Sequence, residues 1–317
     1  MVKTSTVVAG IDTAKDTLDV AICGQALRLQ VANSIRGWKQ LRSDLVKAGV
    51  ERIGIEATGG YERGVVRHLQ AAGFIVVVLQ PIQVRAFARL HRQRAKNDPL
   101  DAALIAACAA VIERHEIGPD QRLTTLADSL TFVEQIEEDI VRFKTRLEHI
   151  SEPRLKRMVL TDIARLKVRR LAQLRLIAKQ LRTHHDLAVR LDLVMSVPGI
   201  GERTAIALII RMPELGRISR EQASALAGLA PFDDDSGKYR GQRHIAGGRG
   251  RLRRSLYAAA LPAAFRWNKA LIKLYTRLIA AGKAHSVALV ACARKLLIYA
   301  NTVVARGTHW VENTVPT

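Results

Sequence analysis

Apolar and polar positions follow two regimes along this chain. Over the first 117 residues, short β-type runs alternate with helical periods. Runs 6–11, 18–23 and 27–31 read as strands, 35–48 as a helix, 52–55 as a strand, 62–72 as a helix and 74–79 as a strand, with helices from residue 82 onward. Three strands followed by strand–helix–strand units predict a mixed sheet with helices on its faces. From 118 to 190 the chain is polar and Arg-rich, with Leu, Ile and Val at helical spacing and almost no glycine. This predicts two long helices, an antiparallel hairpin or coiled coil, breaking near Ser151, Glu152 and Pro153. Residues 191–317 read as mainly helical, interrupted by a loop region between Gly228 and Arg254. The expected division is therefore 1–117, 118–190 and 191–317.

Charge sharpens this picture. Lys and Arg number 50 against 29 Asp and Glu, a formal +21. The segments carry +5, +5 and +11 in turn, so the last is the most basic. Such a surface favours a polyanionic partner, nucleic acid first and an anionic membrane second. The longest unbroken apolar run, 102–112, has about half the length of a membrane span, so no membrane helix is expected. The N-terminus enters a strand-like run without a secretory pattern, and the protein is expected in the cytoplasm. Cys23, Cys108 and Cys292 are scattered and odd in number, which indicates neither a disulfide framework nor a thiolate zinc site.

In so basic a chain, carboxylates at the ends of regular elements call for an explanation. Asp12 closes the first strand run and Glu56 the fourth, while Asp98 and Asp101 stand three apart where a helical pattern begins. Oxygen ligands at strand ends and a helix start suit one or two Mg²⁺ (or Mn²⁺) ions that polarise a phosphate. Each also has an ordinary explanation. Asp12 and Glu56 can simply end strands. Asp98 as N-cap, Pro99 at the first helical position and Asp101 two further on make a good helix start. The flanking Arg85, Arg89, Arg92, Arg94 and Lys96 favour the metal reading.

Two further patterns suit phosphate. The turn Val197-Pro198-Gly199-Ile200-Gly201 separates two helical runs; its glycines either present helix N-terminal amides to a backbone phosphate or permit close helix packing. Asp233-Asp234-Asp235-Ser236-Gly237 is followed by Lys238, Arg240, Arg243, Arg249, Arg251, Arg253 and Arg254 with no intervening acid. Ser236 is thus a candidate nucleophile with guanidinium groups at hand, although Asp-Ser-Gly is also common loop composition.

These pieces together resemble the insertion-sequence-110 family of bacterial transposases, understood as bridge-RNA-guided recombinases. The motifs are Gly10-Ile11-Asp12-Thr13-Ala14-Lys15, Ile55-Glu56-Ala57-Thr58-Gly59, Asp98-Pro99-Leu100-Asp101-Ala102, Val197-Pro198-Gly199-Ile200-Gly201, Gly228-Leu229-Ala230-Pro231 leading to Ser236-Gly237, and the run from Gly247 to Tyr257. They span nearly the whole chain in order. The resemblance implies an α/β RNase H-like (RuvC-like) N-terminal domain, a helical coiled-coil segment for assembly, and a mainly α C-terminal transposase domain. It implies Mg²⁺ held by Asp12, Glu56, Asp98 and Asp101, and Ser236 as the nucleophile of a covalent phosphoserine intermediate. Implied partners are donor and target DNA, a structured noncoding guide RNA, and further copies of the chain as a homo-oligomer, a dimer or a tetramer on DNA. Three other functions compete: a RuvC-like junction nuclease using water, an actin-like ATPase or sugar kinase, and a noncatalytic nucleic-acid-binding protein.

Overall fold

Strand β1 (Val8–Thr13) sits at the centre of a five-stranded sheet and organises the first unit. The computed structural model describes residues 6–25, 28–90, 98–112, 120–232, 235–236, 239–240 and 244–311. For 98–100, 121, 232, 235–236 and 239–240 the description extends to the backbone alone. The chain divides into two units, Met1–Glu116 and Ile117–Thr317.

In the first unit β2 (Thr17–Ile22) and β3 (Arg28–Ala32) extend the sheet antiparallel from one side of β1. On the other side β4 (Arg52–Glu56) and β5 (Ile75–Leu79) run parallel to it, giving the order β3-β2-β1-β4-β5. Helices α1 (Ile35–Lys47), α2 (Arg63–Ala71), α3 (Pro81–Leu90) and α4 (Asp98–Val111) complete it. This is the mixed sheet expected from the alternation, with boundaries shifted by one or two residues.

The side-chain period of two divides the sheet into faces. Ala9 and Ile11 of β1 and Ile53 and Ile55 of β4 are buried with Leu41 and Leu45 of α1 and Val65 and Leu69 of α2. Val8 faces the other way and packs with Val84, Ile105, Cys108 and Ala109, from α3 and α4. Helix α1 starts where Ser34 accepts from the Gly37 amide, and it buries the Leu41/Leu45 stripe. Each such leucine contributes about 1.5–3 kcal/mol by leaving water.

The second unit opens with α5 (Gln121–His149) and α6 (Pro153–Arg182). Glu152 caps α6 by accepting from the amides of Arg154 and Leu155 at 2.8 and 2.7 Å, with Pro153 at its first position. The break therefore falls where the sequence placed it. The two helices fold back on each other over Ile136, Ile140 and Ile163. Then follow α7 (His185–Met195), α8 (Glu202–Arg211), α9 (Arg220–Leu226), four two-residue strands β6 to β9 between Pro231 and Ile245, α10 (Gly250–Pro262), a π-helical turn (Ala263–Trp267), α11 (Lys269–Ala280) and α12 (His285–Arg306). The interrupting loop is shorter than expected, because Gly250 already begins α10.

Helix α12 fills the middle of this unit, burying Leu289, Cys292, Leu296, Leu297 and Ala300. It is the one helix among the described residues long and apolar enough to cross a bilayer, where none was expected. Arg294 and Lys295 interrupt its apolar run, and half of its apolar window is buried in the unit's own core. Burial also pushes the Cys292 thiol up to about 11, so it packs there as a neutral group.

Candidate metal centre and nucleic-acid interface

Two glycines decide where the carboxylates go. Gly10 lies two residues before Asp12 on β1 and Gly54 two before Glu56 on β4, so each pair shares a face. A Cβ on Gly10 would collide with the backbone of α4 at Ala102 and Ala106; one on Gly54 would meet the Ala109 Cβ at 2.5 Å. Helix α4 therefore lies directly on this face, over both strands. The register pairs Ile11 with Ile55, which sets Asp12 and Glu56 side by side one step further on. Asp101, next to the Ala102 that covers Gly10, completes the approach from α4.

Electrostatics shows the same gathering. The Glu56 carboxyl is held above its usual range, first by burial, then by the charges of Asp12 and Asp101, with Arg85 on α3 opposing. Like charges brought together on a packed frame call for a cation. The arrangement thus brings Asp12 and Asp101 within electrostatic reach of Glu56, and α4 begins at Asp98 as expected. The Asp98 side chain, Arg92, Arg94 and Lys96 lie outside the described residues. Among the described residues no three His, Cys, Asp or Glu side chains, Asp12, Glu56 and Asp101 included, stand close enough together to hold a metal ion.

Two residues that sequence reasoning missed shape the loops around this centre. Glu62, nearly buried, accepts from the amides of Thr58 and Gly60 at 3.1 and 2.9 Å and so fixes the loop that follows Glu56. Asn33 donates to the carbonyls of Ala14 and Tyr61 at 2.9 and 3.2 Å while accepting from the Trp38 indole at 2.8 Å. It ties the loop after β1 to the loop after β4. Only its position before the α1 cap hinted at this, and an asparagine there reads as an ordinary turn former.

In the second unit, Gly199 has φ +97°, and a Cβ on it would strike the Ala263 Cβ. Close packing thus demands this glycine. The turn is held further by Asn268, which donates to the Pro198 carbonyl at 3.1 Å and caps α11. Gly201 is the N-cap of α8, has open space around it and supplies no side-chain cap, while Glu202 already sets a negative charge in the first helical turn.

The backbone at Ser236 pairs with Tyr239, and that at Asp235 with Arg240, in a two-residue ladder. The side chains of Ser236 and Arg240, together with Lys238 and Arg243, lie outside the described residues. The remaining arginines all have partners within the chain. Arg249 forms a two-bond pair with Glu214 at 2.6 and 2.8 Å. Arg251 pairs with Glu134 at 2.8 Å, and Arg254 with Glu138 at 3.4 Å. Arg253 donates to the carbonyls of Gly228 and Gly247. Three glutamates of α5 thus receive a set of arginines, since Arg203 also pairs with Glu137 at 2.7 Å and Arg211 with Glu134 at 2.6 Å. Arg254 keeps 67% of its side chain exposed and Arg211 only 17%. Spacing gave no warning of these pairs, because the partners are distant in the chain.

Known proteins bear on this arrangement. Residues 9–157 match the IS110 DEDD transposase family, and residues 191–276 match the transposase IS116/IS110/IS902 family. The chain is built from IS110-family transposase domains. It is an enzyme that acts on DNA. The IS110-family match begins on β1 ahead of Asp12 and takes in Glu56, Asp98 and Asp101; the second takes in Gly199, Gly201, Ser236 and the arginines to Arg254. A pilin gene-inverting protein of Moraxella bovis is 25% identical over 312 residues, covering 94% of this chain and 95% of that protein. The pilin gene-inverting protein of Moraxella lacunata matches at the same identity and coverage. Among solved structures, T. thermophilus RuvC in complex with Holliday junction substrate is similar at 19% identity and a TM-score of 0.27, over 32% of this chain and 91% of that one. That last likeness is too loose to bear on the IS110-family chain's function.

Proposed function

We propose that this transposase cuts and rejoins DNA strands at a composite site that combines the Asp12, Glu56, Asp98 and Asp101 carboxylates on the RNase H-like (RuvC-like) domain of one protomer with the Ser236 hydroxyl of another. The observation that carries the reading is Glu56 on β4: burial and the charges of Asp12 on β1 and Asp101 on α4 act on its carboxyl. The four carboxylates would hold magnesium or manganese, whose chemistry there would be to polarise a phosphate. Ser236 attacks phosphorus: the Oγ–P bond forms, the P–O bond to one sugar breaks, the serine proton passes to solvent and the released sugar oxygen takes one up. An incoming sugar hydroxyl reverses these steps on the other strand and frees the serine, so no phosphodiester is lost to hydrolysis. The printed name of the Moraxella relatives, pilin gene-inverting, describes a rearrangement in which DNA is cut and rejoined, and it supports rejoining over simple hydrolysis.

Guidance by a structured noncoding RNA, assembly as a homo-oligomer through the α5–α6 segment, the division at 1–117, 118–190 and 191–317, and a cytoplasmic location belong to the same reading. The test uses DNA that flanks this gene. Wild-type protein with magnesium should form a denaturant-stable protein–DNA adduct and joined products, and Ser236→Ala should form neither. Cleavage by Ser236→Ala at the wild-type rate would replace the serine by water and make the enzyme a junction-type nuclease.

A further inference from the structure

The second unit holds a pocket that the carboxylates and the serine do not use. It lies between α11, α12 and the segment after α12, with a volume of about 730 Å³, within the span of sites that take small molecules. Its wall includes Tyr299 and Trp310, whose ring centroids stand 4.5 Å apart, and the cationic or titratable groups Lys269, Lys273, Arg306 and His309. No Asp or Glu lines it among the described residues. The sequence explains why: between Asp235 and Glu312 there is no carboxylate at all. This differs from the cleft at α5, where the lining arginines meet carboxylates: Arg203, Arg251 and Arg254 meet glutamates and Arg142 meets Asp139.

Trp310 is placed deliberately. Gly307, at φ +64°, ends α12 in the left-handed conformation and turns the chain back. The Trp310 amide then donates to the Ser196 hydroxyl at 2.8 Å, beside the Pro198–Gly201 turn. The indole Nε1 is shielded from solvent and has no acceptor among the described residues. A buried donor without a partner is costly and marks a place where an acceptor is lacking. Lys295 lies over the Tyr299 ring at 5.7 Å and makes the aromatic pair still more attractive to an electron-rich partner.

We infer that this pocket binds an unpaired nucleotide of a single strand, its base stacked against the Tyr299–Trp310 pair and its phosphates on Lys273 and Arg306. Aromatic faces accept any base, and the cations track the backbone. A duplex keeps its bases stacked inside and cannot use the aromatic pair. The site rests on the reading of this chain as a strand-exchanging enzyme only for the origin of its single strand; binding itself needs neither metal nor Ser236.

The test uses full-length protein carrying Trp38→Phe and Trp267→Phe, which leaves Trp310 as the only tryptophan. Oligothymidylate of ten residues should quench its emission saturably, and an oligouridylate arm determines whether RNA serves equally. Trp310→Ala, followed by fluorescence polarisation of a labelled oligonucleotide, should weaken single-strand binding by about fivefold or more and leave duplex binding within twofold. Trp310→Phe should restore most of the loss, and Lys273→Gln with Arg306→Gln should weaken binding without disturbing the aromatic pair. Absence of quenching by either strand, or equal losses for single strand and duplex, overturns the inference. If Trp310→Ala unfolds by circular dichroism, the Lys273 and Arg306 changes decide alone. Because covalent adduct formation is a separate readout, failure of strand joining by the wild-type protein with quenching intact in the single-tryptophan variant removes the composite-site reading and leaves this one.

Discussion

Arg251 reaches Glu134 across 117 residues of chain and meets it at 2.8 Å. Glu134 is 5% exposed and also receives Arg211 at 2.6 Å. Burial lowers the Arg211 guanidinium, and the Glu134 charge is what chiefly opposes that fall. Removing the carboxylate strands a cation that is mostly out of water. Glu134→Ala should therefore cost about 2–4 kcal/mol in urea unfolding at unchanged slope, and Glu134→Gln less. An unfolding midpoint within error of wild type would show that water already serves Arg211.

The same pairs divide the basic run by role. Arg249→Ala and Arg251→Ala should lower stability before they lower DNA affinity, because their guanidiniums hold Glu214 and Glu134. Arg254→Ala, with most of its side chain in solvent, should leave the unfolding midpoint nearly unchanged and weaken DNA binding, with a smaller salt slope. Equal losses of stability across the three would contradict this division.

Gly54 and Ala109 form a pair that can be exchanged. Gly54→Ala drives a methyl against the Ala109 Cβ and should cost about 1–3 kcal/mol. Adding Ala109→Gly should recover part of that despite its own helix penalty of about 1 kcal/mol. Gly10→Ala admits no such rescue, since it meets α4 backbone rather than a side chain. A double-mutant cycle without coupling would place α4 further from the sheet.

Asn33→Asp separates two functions of one side chain. It keeps an acceptor for the Trp38 indole and loses the amide that donates to Ala14 and Tyr61. Strand joining should fall more steeply than stability, whose expected loss is about 1–3 kcal/mol. Stability falling with activity retained would confine Asn33 to folding.

Arg122 bridges Asp120 and Asp186 and holds both carboxyls below the usual range through its hydrogen bonds. Carboxyls depressed in the folded state stabilise it above their unfolded value near pH 4, and that contribution fades as pH falls through the folded values. The stability difference between wild type and Arg122→Ala should hold steady from about pH 5 to 8, stay under about 1 kcal/mol because Arg122 is exposed, and narrow below about pH 4. A gap that widened in acid would reverse the assignment.

The sheet and the long helices were legible because their signals are local: alternation in β1 and β4, and the Glu152–Pro153 start of α6. Asp12, Glu56 and Asp101 could be singled out because they stand at element ends. What stayed hidden depends on contacts between distant segments. Gly10 and Gly54 look like any strand glycine until α4 lies on them. Arg251 looks like a free cation until α5 supplies Glu134. Helix α12 escaped notice as a long apolar helix because two charged residues divide its run while its buried face continues past them.

The two glycines beneath α4 also change what mutational tolerance should mean here. In a saturation scan of the first unit, Gly10 should reject nearly every substitution as firmly as Asp12 does, although it has no functional group to lose. A map of intolerant positions would then outline the space reserved for α4 as clearly as the carboxylates themselves, and chemical type alone would misassign half of it.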